Sequence, residues 1–449
     1  MPPCASRFLM VIAFSASVLI PESSSGLEYA ASVGYSGEYS DNASRTSEEE
    51  SDFVHRPGFD FSGSHSGPSV DLGFGYSAHR RMYDSDTFRD ETVLEGGADV
   101  AWNVVPGRLV VFAANHRQET EIRRSGEAVP SNLQEASDSQ AGLNLIIDSF
   151  SNHYLTLGYL YSETHFARAG SNSGRHNASA AYSIPVSVTD VLSLIGSATR
   201  VNFDDPAAPD YESRSGSVQY QRQTTRTSAS LRLGYQEVDR ELRRDTVDGY
   251  TGAFAWTRQL SPTSSFGVSY SQDLRDNSLE FGRRLVGEEA DIIDEPGFVG
   301  DTDISEVYTE KRAGAHYGTL IGANSLVVSV NAARRRYDDV ERDTDYRSLS
   351  VDVGRAIRPT LNARLALSYR QNEFEEFDEL GEFDETAQKD DEVRASLQFS
   401  WQRTPRLSLG WGLAYFTRDR DREELGQRDV DDWYATVSVD YLVFATAFR

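Results

Sequence analysis

The chain is almost without cysteine. Its single thiol, Cys4, lies ahead of the N-terminal apolar run, so it is not placed to become a lipidated first residue, and removal of a leader would leave none. Disulfide frameworks, thiolate catalysis and thiolate metal sites are excluded on that ground. Long hydrophobic runs are equally scarce. After the first 25 residues no apolar stretch approaches the ~20 residues that a membrane-spanning helix requires, and mean hydropathy is -0.50. Positive charge is in deficit: 44 Lys and Arg face 70 Asp and Glu, a net charge of -26. A phosphate-binding surface must be basic, which argues against a nucleic-acid partner.

Recognisable reaction chemistry is missing too. The eight histidines are dispersed with no H-E-x-x-H spacing. Gly63–Gly67 and Gly170–Gly174 place His65 and Asn172, not serine, at the centre of a would-be nucleophile elbow. The acidic run from Asp419 puts its glycine, Gly426, at the eighth position where a calcium loop needs it at the sixth. We therefore expect no enzyme, no cofactor and no metal centre.

What the chain does have is aromatic and small residues, with 22 Tyr, 22 Phe and 34 Gly against 14 Pro, a composition that suits strands. Met1 to about Ser25 reads as a secretory signal: Arg7 is the basic flank, FLMVIAFSASVLI the apolar centre, and Ser23-Ser24-Ser25 the small residues for cleavage. Residues 26–449 then form one domain.

Val393 to Tyr415 states the pattern of that domain. Val393, Ala395, Leu397, Phe399 and Trp401 share one parity, opposed by Arg394, Ser396, Gln398, Ser400 and Gln402; after a turn at Pro405, Leu407, Leu409, Trp411, Leu413 and Tyr415 repeat it. Successive strand side chains point to opposite faces, so each run is a strand with one greasy face. The unit recurs along the chain. Short turns fall near Pro68, Pro106, Phe150, Ser187, Thr224, Pro262, Gly322, Pro359 and Pro405, and with a strand on each side plus one strand at each terminus they give about 20 strands, 18 and 22 being the neighbouring even counts. The longer connections are acidic: Glu373–Glu392 carries eleven acidic residues and one Lys, and Gly287–Glu306 carries eight and no basic residue.

Period-two alternation, short turns alternating with long loops, aromatic run ends and an even count are the marks of an all-β transmembrane antiparallel up-and-down β-barrel. Backbone groups in hydrocarbon must be paired, and strands manage this only by closing. The apolar parity then faces lipid and the polar parity a lumen. Arg232, Arg364, Arg370, Arg394 and Asp352 are the lumen-facing candidates, with Arg418, Asp71 and Asp440 on the same parity. Arg80, Arg334 and Arg336 continue the lipid-facing parity at loop-proximal strand ends, where guanidinium matches lipopolysaccharide phosphate; anchoring at a polar rim is the competing account. The acidic loops either collect cations or are simply solvated.

Three motifs carry a resemblance: EYSDN at Glu38–Asn42, SDFVHRPGFDF at Ser51–Phe61 and FGYSAHRRMY at Phe74–Tyr83. In these the chain resembles exported β-barrels associated with exopolysaccharide and PEP-CTERM/exosortase gene clusters, akin to β-barrel porins; beyond Tyr83 the likeness is architectural. The C-terminal Arg449 departs from the aromatic residue that ends many barrels. The resemblance implies a Gram-negative outer membrane and a part in polysaccharide export or surface assembly. The partners expected are outer-membrane lipid and lipopolysaccharide, the barrel assembly machinery and polysaccharide export components. Two functions stand open: a pore for exopolysaccharide export or solute diffusion, or a non-conducting surface barrel whose acidic loops bind glycan, cations or a partner.

Overall fold

The computed structural model describes residues 26–46, 49–122, 129–148, 152–168, 172–206, 208, 210–241, 245–275, 307–337, 343–374, 388–420 and 429–447. The leader expected over 1–25, all of 287–306 and the middle of 373–392 lie outside them. Twenty strands follow in order: β1 Leu27–Ser40, β2 Asp52–Ser66, β3 Val70–Tyr83, β4 Glu91–Val105, β5 Leu109–Glu121, β6 Leu133–Asp148, β7 Tyr154–Phe166, β8 Ser173–Pro185, β9 Asp190–Phe203, β10 Tyr211–Gln223, β11 Thr227–Arg240, β12 Asp245–Ser261, β13 Ser264–Arg275, β14 Tyr308–Ile321, β15 Asn324–Tyr337, β16 Thr344–Arg358, β17 Leu361–Phe374, β18 Gln388–Thr404, β19 Leu407–Arg420 and β20 Val430–Ala447.

Every strand pairs antiparallel with its sequence neighbours, and β1 pairs with β20, which closes the barrel. The nine short turns are the connections 67–69, 106–108, 149–153, 186–189, 224–226, 262–263, 322–323, 359–360 and 405–406. They share one end with both chain termini, because Leu27 is opposite His65 and Glu28 opposite Ala447. Connections at the other end run from four residues (241–244) to 32 (276–307).

The motif EYSDN has an architectural task. Ser40 Oγ donates to Asp432 Oδ1 at 2.6 Å, Asn42 Nδ2 to the Asp431 carbonyl at 2.9 Å, and the Trp433 amide to Asp41 Oδ1 at 2.7 Å. The first strand is thus latched to the last where the barrel meets itself. Glu38 holds Arg56, from the second motif, through paired bonds of 2.9 and 3.0 Å. Asp52 accepts the amides of Phe53 and Ser85 at 2.7 and 2.9 Å, fastening the β3–β4 loop.

One face of the sheet is a continuous apolar surface. The cross-strand row Val353, Leu365, Leu397, Leu413 lies on it, each residue paired in register with the next and each at least 37% exposed in the bare barrel. Toward the turns the band ends in Trp102, Trp256, Trp401 and Trp411, the last stacked on Phe399 at 5.4 Å. Toward the loops it ends in Tyr39, Tyr235, Tyr250, Tyr369, Tyr415 and Trp433. Amphipathic rings suit the border between hydrocarbon and water, and two girdles flanking an apolar band are the outer surface of a barrel in a bilayer.

Candidate functional site

The opposite parity lines the interior. Its character follows from the side chains that the alternation places there: serine, glutamine, asparagine, arginine and carboxylates. Exposure along this face changes systematically with height. On β18, Asp390 and Glu392 are buried, Arg394 and Ser396 half-buried, and Gln398, Ser400 and Gln402 exposed. On β16 the sequence is Thr344, Tyr346 and Ser348 buried, Ser350, Asp352 and Gly354 half-buried, and Ala356 exposed. On β10 it runs from Tyr211 and Ser213, buried, to Gln221 and Gln223, exposed. A water-filled cylinder would leave its wall wet throughout. This interior is a vestibule open at the turn end and occluded at the loop end.

Two kinds of packing fill the occluded end. Beside β9–β13, Val201, Tyr211, Val238, Leu274 and Val307 form an apolar cluster, flanked by Phe203 and Val247. Farther round the wall the filling is ionic. Glu310, 1% exposed, accepts hydrogen bonds from Arg335 Nε at 2.8 Å and Arg312 Nη2 at 3.0 Å, and forms an ion pair with Arg275 Nη1 at 3.1 Å. Arg335, also 1% exposed, lies over the Tyr308 ring at 5.0 Å. Charges are placed in a dry interior only when partners offset their lost hydration, and here one carboxylate serves three guanidinium groups. Glu121, at the loop end of β5, is within electrostatic reach of Arg370, Arg394 and Arg418 on β17–β19.

The lumen candidates occupy this inner wall as a set of ion pairs, one within β18 and the others between strands. Arg394 Nε meets Glu392 at 2.7 Å and Arg370 meets the same carboxylate at 3.9 Å. Arg418 pairs with Asp390 at 2.6 Å, Arg364 with Asp352 at 2.5 Å, and Arg232 with Asp273 at 3.2 Å. Arg394 also lies over the Phe416 ring at 5.2 Å, as does Arg45 at 4.9 Å. Asp71 bonds Ser66 Oγ at 2.6 Å near a turn, while Asp440 stands over Gly34, whose missing Cβ makes room for it. Asp390 and Glu392, which composition groups with an acidic loop, belong to the wall of β18.

The three rim arginines sit on the outer parity near the loop end, each with a carboxylate. Arg80 pairs with Asp90 at 3.0 Å, Arg334 with Asp345 at 3.4 Å, and Arg336 with Asp343.

Among the described residues the wall parts at the loop end along two seams, β12–β13, whose ladder stops at Gly252/Gln272, and β4–β5. β4 pairs with β5 only from Gly96/Arg117 to Val105/Leu109, although β4 begins at Glu91 and β5 runs to Glu121. Gly96 has φ +126°, and a Cβ there would lie 2.1 Å from the Gly75 carbonyl oxygen, so only glycine fits. Above it Arg81 bridges the parted strands, donating through Nη1 to Glu91 at 2.9 Å and to Glu119 at 3.2 Å.

No family model matches the chain, and no curated protein matches it in sequence. Solved structures do. The siderophore receptor PirA from Acinetobacter baumannii is 9% identical with a TM-score of 0.50, the alignment covering 92% of this chain and 80% of that one. PirA from Pseudomonas aeruginosa is 11% identical over 94% of this chain and 81% of the other, TM-score 0.46. The FrpB iron transporter from Neisseria meningitidis is 8% identical over 92% and 81%, TM-score 0.47. At such identity the likeness, carried by the Acinetobacter baumannii structure, concerns the fold alone.

Proposed function

We propose that the chain is an outer-membrane transport barrel with a gate: a hydrophilic vestibule reached from the turn side, the periplasm, and shut at the loop side, the cell surface. The observation that carries this reading is the fall in exposure of inward side chains from turn end to loop end on β10, β16 and β18. The apolar band and its two girdles support the membrane location. Hydroxyl, amide and paired charged groups on the inner wall suit a polar solute or a saccharide chain, whose hydroxyls exchange hydrogen bonds with such a surface as they do with water. Within this class, exopolysaccharide export is the cargo that the N-terminal motifs favour. The partners in this reading are outer-membrane lipid and lipopolysaccharide, the machinery that assembles barrels, and export components docking at the turn side. No catalytic step is involved.

Planar-bilayer recording tests the proposal. Wild-type protein is expected to be mostly silent, and Glu392→Ala with Glu121→Ala, which loosens the ionic packing of the closed end, to open discrete conductance steps. Large permanent steps in the wild type would overturn the gate. The occluded loop end also favours a second reading, a sealed surface barrel that binds glycan, cations or a partner through its acidic loops. That reading predicts silence in both proteins and loss of surface binding on deletion of residues 375–387.

A further inference from the structure

The split β4–β5 seam lies directly above a groove in the lipid-facing wall. Four outward positions in register form its floor and sides: Val100 is opposite Ala113, Ala113 opposite Ala141, and Ala141 opposite Tyr161. Two adjacent alanines between a valine and a tyrosine leave a trough. The next row toward the turns, Trp102, Val111, Leu143 and Tyr159, continues it. The trough encloses about 490 Å³ and its lining is apolar, within the size range of small-molecule sites, about 300–1,000 Å³.

Polarity rises in steps toward the loops. One outward position above the alanines, Asn115 Nδ2 donates to Ser139 Oγ at 2.8 Å. One position higher, Arg117 is opposite Ser137, which in turn is opposite His165. At that level the β4–β5 ladder stops. Residues 91–95 pair in the sheet with β3 alone and residues 118–121 with β6 alone, so their seam-facing N–H and C=O groups have no strand partner across the gap. Such groups seek hydrogen bonds. The distance from Ala113 to Arg117 is four residues, about 13 Å along the strand.

We infer that the trough and the parted seam form one binding site for an amphipathic glycolipid of the outer leaflet, the lipopolysaccharide anchor: a phosphorylated sugar bearing acyl chains. An acyl chain lies over Ala113 and Ala141 against Trp102 and Tyr159. The sugar hydroxyls and amides take the open backbone edges of residues 91–95 and 118–121, and the phosphate meets the Arg117 guanidinium, which in the free barrel pairs with Glu135. A glycerophospholipid has the chain but lacks a hydroxyl-rich head to satisfy a row of backbone groups, and the seam stands at the loop end, where the outer leaflet lies in the orientation proposed above. The site does not depend on what crosses the lumen.

Native mass spectrometry of the full-length barrel in detergent tests this with two probes, purified lipid A and phosphatidylethanolamine. The expected result is retention of about one lipid A per barrel at an activation energy that strips phosphatidylethanolamine. Ala113→Phe with Ala141→Phe, which fills the trough, should lower lipid A retention at least tenfold, whereas Ala332→Phe, on the outer parity of β15, should leave it unchanged. Equal retention of both lipids by the wild type, or no retention of lipid A, overturns the site without reference to any variant. Unchanged retention in the double variant overturns the trough as its location.

Discussion

Arginine placed at Leu397 separates a lipid-facing wall from a soluble one. Leu397 is the middle residue of the outward run Val393, Ala395, Leu397, Phe399 and Trp401, and it is 39% exposed in the bare barrel with Leu365 and Leu413 beside it in register. From Trp401 to Val393 is eight residues, about 26 Å along the strand, so a tilted strand carries Leu397 near the centre of an apolar band of about 25 Å. A guanidinium at that depth costs about 2–4 kcal/mol, a factor of roughly 30 to 700 in the folding equilibrium. Ser396, one residue away, points into the vestibule and is half-buried. Arginine there joins a wall that already holds Arg364 and Arg394, and the expected cost is within about 0.5 kcal/mol, as for surface substitutions. The assay is reversible urea unfolding of the two variants and wild type in phospholipid vesicles, followed by tryptophan fluorescence. Equal costs at Leu397 and Ser396, or a neutral Leu397→Arg, would refute the assignment of faces, and with it the bilayer location.

Two further outcomes follow from the ion pairs. Glu310→Ala removes the carboxylate shared by the buried Arg335, Arg312 and Arg275, and breaking a buried pair from one side costs about 3–5 kcal/mol; Arg364→Ala removes a pair whose arginine side chain is 63% exposed and should cost less than about 1 kcal/mol. The same urea titration measures both, and similar costs would contradict the dry loop end. Asp432→Ala removes the acceptor of Ser40 and Arg45 at the closure, a loss of about 1–3 kcal/mol, seen as a lower temperature for loss of the compact, heat-modifiable gel band; no shift would mean that the latch does not hold the barrel shut.

The architecture was legible because its signal is local. Alternation with period two survives in any window of ten residues, and Pro or Gly turns punctuate it, so twenty strands and nine turns could be placed without knowledge of a single contact. Pairing partners are a different matter. Arg232 meets Asp273 two strands away, and no sequence spacing links Glu310 to Arg275, Arg312 and Arg335 at once. Asp390-Asp391-Glu392 reads as loop because a run charged on both parities hides the period, yet Asp390 and Glu392 turn inward to Arg418 and Arg394. The split β4–β5 seam left one trace, Gly96-Gly97 in the middle of a strand, a pairing that marks a bulge or a close backbone approach. The occlusion of the loop end left none, since it depends on side chains from distant strands meeting in the interior.

The latch between EYSDN and β20 joins residues 392 positions apart. Until the last strand has been delivered, Ser40, Asp41 and Asn42 have nothing to hold, and the nascent sheet keeps two raw edges. Contacts so remote in sequence form late, because the chain between them must first be organised. Closure therefore doubles as a completeness check. A chain cut short just before Asp431 keeps nineteen strands and still cannot seal, because it lacks the strand that β1 and β19 both pair with.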